Sequence, residues 1–261
     1  MKYIDIHSHL HDEPFDHDRA DVLGRMRDEG VGTITVGTGL ISSRKAVALV
    51  EKEADVWASI GVHPNDDPRE EFDMGAFTDL ANHSKVVAIG ECGFDFFKTE
   101  KDTDYERQRV LFEKHLMLAE KTGLPLMLHV RDAYEETLEV LETYKGNING
   151  DVHFFVGNIS IAKRFLDLGF TCSFTGVISF TRDYDDVVRY IPDDMIHVET
   201  DAPYVAPVPY RGMRNESTHV KVVVERMREI KHWGVAYAQQ TLLENAERVF
   251  TYKSKNGLFF T

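Results

Sequence analysis

The sequence predicts an α/β fold, a (β/α)8 TIM barrel built as a single domain over residues 1–261, and three observations carry that expectation. Eight short β-rich apolar runs are spread along the chain. Most are continuously apolar rather than alternating, as parallel strands buried on both faces require. Longer amphipathic segments separate them, and no Pro/Ser-rich linker or low-complexity tract divides the 261 residues. A doubly wound open sheet is the competing architecture, because periodicity does not reveal closure. No GxGxxG opens a helix after the first run, so a dinucleotide-binding fold has little support.

The strand candidates, in order, are YIDIHSH (3–9), TITVGT (33–38), VWASIG (56–61), VVAIGE (86–91), LPLMLHV (124–130), GDVHFFV (150–156), FTCSFT (170–175) and IHVETD (196–201). Between the fourth and fifth, DYERQRVLFEKHLMLAEKTG (104–123) places Val110, Leu111, Leu118 and Ala119 at helical spacing, and Gly123 suits a C-cap. DAYEETLEVLETYKG (132–146) sets Leu138, Leu141 and Tyr144 on one side of a second helix. TLLENAERVF (241–250) follows the eighth strand as a closing helix.

Composition narrows the function. A hydrophobic fraction of 43% supplies a substantial core, and no apolar run approaches the length that crosses a bilayer. The opening MKYIDIHSHL has neither the apolar stretch nor the small-residue cleavage site of a signal peptide. The expected location is cytoplasmic, with no membrane partner and no obligate protein partner apparent. Cys92 and Cys172 lie far apart in apolar segments and read as buried free thiols in a reducing compartment. Acidic residues outnumber basic ones 44 to 30, a formal charge of −14. Extensive contact with a polyanion needs a basic face. A phosphate substrate here therefore needs a local cationic pocket or bound metal.

Barrel active sites form at the C-terminal ends of the strands. The reactive residues there are His7 and His9 on the first strand, His63 after the third, and Glu91 ending the fourth. His129 and Arg131 end the fifth, His153 sits in the sixth, and Asp201 ends the eighth. The second and seventh strands end in small or hydroxyl residues. His153 alone would read as a hydrogen-bonded core histidine, and Glu91 or Asp201 alone as a helix cap or half of a structural salt bridge. Six donors at the same ends of five strands (His7, His9, Glu91, His129, His153 and Asp201) point instead to metal. Imidazoles and carboxylates without thiolates suit Zn²⁺, Mn²⁺ or Mg²⁺. Six donors exceed the three of a simple catalytic zinc site, so one or two divalent ions are expected. Glu91 is the natural bridge, across a separation of about 3.5–4 Å. His11, the third evenly spaced histidine of YIDIHSHLHD, is expected in a loop outside the metal set.

IDIHSHL (4–10), GVHP (61–64), IGECGFDF (89–96), LPLMLHVRDA (124–133), ETDAPYVAPVPYRGMRNE (199–216) and NAERVF (245–250) carry a family likeness. With these motifs in this order, the chain resembles the TatD-related metal-dependent deoxyribonucleases over nearly its whole length. GECGFD and ETDAPY are far more specific than a histidine pair. The resemblance implies that His7, His9 and Glu91 form one metal position and that Glu91, His129 and His153 form the other, with Asp201 beside them. It also implies that His63, Arg131 and Arg211 match positions meeting substrate phosphate. HFFVGN (153–158) stands where the family commonly reads HCFSG, so Val156 removes a hydroxyl and shifts the expected substrate preference. Ser217 follows RNE where the family usually has proline, a change at a helix start. Glu91 replaces the carboxylated lysine of several other barrel hydrolases, which favours the TatD-like branch over phosphotriesterase-like or dihydroorotase-like enzymes.

The expected reaction is phosphodiester hydrolysis, with Glu91 and Asp201 as the catalytic carboxylates. Asp201 orients the attacking water and accepts its proton. His63, Arg131 and Arg211 neutralise phosphate oxygens, a guanidinium fork meeting two at once. Arg131 has an equal alternative as a helix-start ion pair with Asp132 or Glu135, and Arg214 reads as loop-surface charge. Asp95 either fixes a ligand histidine or caps a loop, and Asp5 is expected to support His7 and His9 from deeper on their face. The acidic charge makes single-stranded DNA or 3′ ends, trimmed exonucleolytically, the expected substrate, with RNA as an extension. The runner-up is a small-molecule amidohydrolase, lactonase or phosphoesterase on the same metal site. A non-catalytic, metal-dependent interaction module is the third reading.

Overall fold

The computed structural model describes residues 1–250 apart from Asp66, Pro68, Lys98, Lys145 and Gly146. Its strands are β1 (Tyr3–Ser8), β2 (Val31–Val36), β3 (Val56–Ile60), β4 (Val86–Asp95), β5 (Leu126–Arg131), β6 (Gly150–Val152), β7 (Phe170–Phe174) and β8 (Ile196–Val198). All pair in parallel, each with the next in the chain. A parallel bridge between Ser8 and Ala202 joins the end of β1 to the segment after β8. There the Asp201 N–H donates to the His7 carbonyl at 2.9 Å and the His9 N–H to the Ala202 carbonyl at 2.7 Å. The sheet is a nearly closed barrel of the expected (β/α)8 kind, and the same bridge sets Asp201 beside the two histidines.

Helices α1 (Arg19–Glu29), α2 (Leu40–Val50), α3 (Met74–Ala81), α4 (Lys101–Thr122), α5 (Tyr134–Thr143), α6 (Ile159–Asp167) and α7 (Asp185–Tyr190) connect successive strands. α8 (Val220–Lys231) and α9 (Val235–Phe250) follow β8. Gly123 ends α4 at φ 68°, a left-handed conformation that glycine adopts without strain. Leu111, Leu118 and Ala119 are buried as expected, whereas Val110 is 44% exposed. Adjacent residues lie about 100° apart around a helix, so Leu111 and Val110 cannot both centre on the sheet-facing stripe. α5 buries Leu138 and Leu141, but Tyr144 lies just past its end. The expected continuation to Gly146 falls outside the described residues. Cys92 and Cys172 are buried free thiols. Among the described residues no helix is long and apolar enough to cross a membrane.

The barrel is filled asymmetrically. On the β1–β5 side, Ile4, Ile6, Ile34, Val36, Trp57, Val87 and Met127 form an apolar plug, closed by Val249 and Phe250 of α9. On the β6–β8 side, Asp151, Thr171 and Ser173 are buried polar residues. The Thr171 and Ser173 hydroxyls approach Asp151 at 2.7 Å and 2.6 Å, and such pairing offsets the desolvation cost of burial. The register of β1 against β2 shifts between Asp5 and Ser8. Asp5 accepts the His7 N–H at 3.3 Å, the Thr200 N–H at 2.8 Å and the Thr200 hydroxyl at 2.6 Å, so it supports His7 through the backbone.

Candidate metal centre

Two local irregularities bring the potential ligands inward. The shift in β1 brackets His7, and a second shift, of β4 against β5, falls between Ile89 and Cys92, around Glu91. Such bulges re-aim side chains at strand ends. The β4–β5 contact is also unusually close. Gly90 has φ 149°, and a Cβ there would lie 2.3 Å from the Met127 carbonyl oxygen; at Gly93, φ is 136° and the corresponding oxygen of His129 is also 2.3 Å away. Only glycine fits. The glycines of GECGFD therefore press Glu91 and Asp95 against His129.

The loops after the strands surround a cavity of about 680 Å³ lined by His9, His63, Glu91, His129, His153 and Asp201, among others. Glu91 sits at the centre. Its Oε2 is 3.4 Å from His7 Nε2 and 3.7 Å from His9 Nε2. Its Oε1 is 2.6 Å from His129 Nδ1, 2.9 Å from His153 Nε2 and 3.8 Å from His63 Nε2. Asp201 Oδ1 lies 3.8 Å from His7 Nε2 and 3.5 Å from His9 Nε2. Among the described residues four donor groups have ligand atoms mutually close enough for one ion: His7–His9–Asp201, Glu91–His129–His153, His7–His153–Glu199 and His63–Asp95–His129.

What stands behind each imidazole differs. His129 Nε2 is 3.1 Å from Asp95 Oδ2, and Asp95 in turn accepts the Phe97 N–H at 2.8 Å. His153 Nδ1 is 3.5 Å from Glu199 Oε1. Glu199 accepts the Phe154 N–H at 2.6 Å and the Ser173 hydroxyl at 3.0 Å. His9 Nδ1 donates to the Val36 carbonyl at 2.8 Å. That bond fixes the ring with Nε2 toward Glu91 and Asp201. Glu199, the first residue of ETDAPY, was not singled out by sequence reasoning. Its place two residues before Asp201, directly after β8, is the signal that could have found it.

The buried charges compensate one another. Burial alone would raise the Glu91 carboxyl, yet the charges of His153 and His7 and the hydrogen bonds of His129 and His153 hold it well below the usual range. Burial would likewise raise Asp201, but the His9 hydrogen bond and the His7 and His153 charges keep it low. Burial opposes charging of His153, and Glu91 and Glu199 overcome it, lifting its pKa well above normal. Asp151, whose neighbour Glu199 adds to the effect of burial, is pushed up to about 7.

His7 tests whether this cluster suits metal. It is fully buried, and among the described residues neither ring nitrogen has a hydrogen-bond partner. A buried imidazole nitrogen lying between two carboxylates is poorly satisfied by protein alone. A divalent cation would satisfy it, and the nitrogen-and-oxygen donor set fits that ion. The remaining residues sort by position. His63 and Arg131 line the cavity. Arg131 makes no ion pair with Asp132 or Glu135; its guanidinium lies 3.6 Å over the Phe97 ring, and Glu135 pairs with Arg164. Arg211 lies outside the cavity lining, 4.1 Å over Phe180. Arg214 is bound by Asp18 at 2.6 Å. His11 lies in the turn after β1 and is buried, with Nδ1 2.7 Å from the Thr35 hydroxyl and Nε2 2.8 Å from that of Ser42.

The family model for TatD related DNase matches residues 4–251 of this chain. An uncharacterized metal-dependent hydrolase of Bacillus subtilis, YabD, is 34% identical over 95% of this chain and 98% of its own length. A second, YcfH of Escherichia coli, is 34% identical over 96% of each chain. Among solved structures, YJJV, a TatD homolog from Escherichia coli, superposes with a TM-score of 0.88 at 28% identity, covering 95% of this chain and 98% of that one.

Proposed function

The chain belongs to the TatD-related DNase family of metal-dependent hydrolases, and on that premise we propose that it hydrolyses phosphodiester bonds at the ends of single-stranded DNA, with RNA as a further substrate. The division of Glu91 carries this reading. One carboxylate oxygen faces His7 and His9, and the other faces His129 and His153. His7, His9 and Asp201 would hold one divalent ion, His129 and His153 a second, with Glu91 shared. When bound, such ions supply Lewis acidity and lower the pKa of water at the site.

The protein's own groups supply the rest. Asp201, kept ionised by its imidazole neighbours, is in the state a proton acceptor needs. Its bonding to the β1 terminus, through its N–H on the His7 carbonyl, fixes the carboxylate relative to His7 and His9. His63 and Arg131, on the lining between β3 and β5, offer N–H donors to the non-bridging phosphate oxygens. Arg211 is a contact for a more distant phosphate. The cavity also presents Val156 and Val205, which favours one second reading: an amide, lactone or small phosphoester substrate with an apolar flank. Metal-dependent turnover of a generic aryl phosphodiester, compared with an aryl ester and a lactone, separates the two. Hydrolysis of the ester or lactone alone would replace the nuclease reading. An Asp201→Asn protein that cuts phosphodiesters at the unaltered rate would remove Asp201 from its role.

A further inference from the structure

Phe97 and Tyr204 line the cavity on opposite sides of its mouth, because β4 and β8, which their loops follow, stand across the barrel from one another. Both rings are strongly exposed, Phe97 at 51% and Tyr204 at 57%. Val156, Phe180, Val208 and Met213, on the loops after β6, β7 and β8, are also exposed. Exposed apolar groups concentrated at one end of a barrel mark a binding surface more than a solvent-facing one. Two of the rings carry a cation: Arg131 lies 3.6 Å over Phe97, and Arg211 lies 4.1 Å over Phe180. The loops bearing this second pair are tied together by the Val208 N–H, which donates to the Ser179 hydroxyl at 3.0 Å.

A half-exposed aromatic ring with a guanidinium over one face matches the two chemistries of a nucleotide, a flat base against the ring's other face and an anionic phosphate. A chain of charge −14 cannot hold a polyanion by long-range attraction. Stacking does not depend on net charge, and only unpaired bases offer their faces to it. We infer that the mouth is a base-stacking platform for single-stranded nucleic acid: Phe97 and Tyr204 receive bases flanking the scissile phosphate, and the Phe180–Arg211 pair receives the next nucleotide outward. This rests on the phosphodiesterase reading and adds how an acidic protein grips its polymer. Affinity resides mainly in base contacts, and its salt dependence is shallow, with a slope of about −1.4 for two phosphates met by two arginines.

The test is fluorescence-polarisation binding of metal-loaded, full-length protein to a labelled octathymidylate with phosphorothioate linkages. The comparison is an oligomer of the same length and charge whose sugars carry no bases. The base-free oligomer is expected to bind at least about tenfold more weakly, and Phe97→Ala or Tyr204→Ala to weaken the thymidylate by about tenfold each. Phe97→Trp restores it, which a loss of folding would not allow. Equal affinity for the two oligomers, a steep salt slope, full affinity in both alanine variants, or no binding of the thymidylate by the unaltered protein would each overturn the platform. Hydrolysis of bis(nitrophenyl) phosphate by the unaltered protein reports separately on the phosphodiesterase reading, since that substrate has no base.

Discussion

The two sides of the cavity floor hold their imidazoles by different means. On the β5–β6 side, His129 and His153 each have a carboxylate behind them, Asp95 at 3.1 Å and Glu199 at 3.5 Å. On the β1 side, His9 leans on a backbone carbonyl, and both ring nitrogens of His7 lack a hydrogen-bond partner among the described residues, as does Nδ1 of His153 despite its nearby carboxylate. Only the carboxylate behind His153 belongs to the polar filling beneath β6–β8; the one behind His129 comes from the end of β4. A carboxylate behind a ligand histidine fixes its ring and raises its basicity. If two ions bind as proposed above, their positions would not be equivalent: the β5–β6 position would be the preorganised one, and the β1 position would depend more on the ion itself.

Removing the shared group should erase the contrast. Glu91→Ala is expected to lose metal from both positions and to lower turnover by orders of magnitude, with metal content read by elemental analysis and folding by circular dichroism. Retention of both ions would show that Glu91 is not shared. Next in size, Asp95→Asn and Glu199→Gln should weaken the tighter of two metal-binding steps by about 10–100-fold, while leaving the weaker step in place. Titration calorimetry on chelator-treated protein resolves the steps. A loss confined to the weaker step would reverse the assignment of the two sides. Arg131→Ala should raise KM for a phosphodiester about tenfold, the loss expected of one charge-assisted contact, with a smaller change in kcat.

An effect on stability alone, outside the site, lies at the bottom of the barrel. His197 is buried beside Phe250, both its ring nitrogens lack partners among the described residues, and burial lowers its pKa to about 3. Its unfolded form binds a proton near pH 6.5, so the native state binds fewer protons between pH 6.5 and about 3. Stability is therefore fully present above the unfolded pKa and declines as pH falls, by about 1.4 kcal/mol per pH unit for this one group. His197→Phe should flatten that acid limb in urea unfolding at matched pH values, leaving metal affinity alone. An unchanged slope would show that His197 is solvated in the native protein. His11 and His115, lowered to about 3 and about 4, share the sign, so a shallower limb remains.

Much of this was legible because the barrel converts order in sequence into position in space. Eight apolar runs gave eight strands, and reading their C-terminal ends gathered His7, His9, Glu91, His129, His153 and Asp201, which the structure brings together in one cluster, with all but the fully buried His7 lining the cavity. What was illegible depended on register and on contacts between distant segments. The register shift that brackets His7 leaves no mark in a period-two pattern. Glu199 looked like an ordinary strand residue until Ser173 and His153, from two other strands, were seen around it. Arg131 kept two equal readings because a cation–aromatic contact with Phe97 depends on where two loops meet. His11 matched the spacing of its neighbours, yet Thr35 and Ser42 from other elements hold it away from the cavity.

The central claim is that a cluster organised by Glu91 cuts phosphodiesters at free nucleic-acid ends. It is tested most directly by digesting an end-labelled single-stranded oligonucleotide, beside closed circular duplex DNA, with metal-loaded protein and with Glu91→Ala. The account predicts stepwise shortening of the single strand, abolished by a chelator and by Glu91→Ala, with the circle left intact. Rapid nicking of the circle, or an uncut oligonucleotide alongside turnover of an ester or lactone, would contradict it.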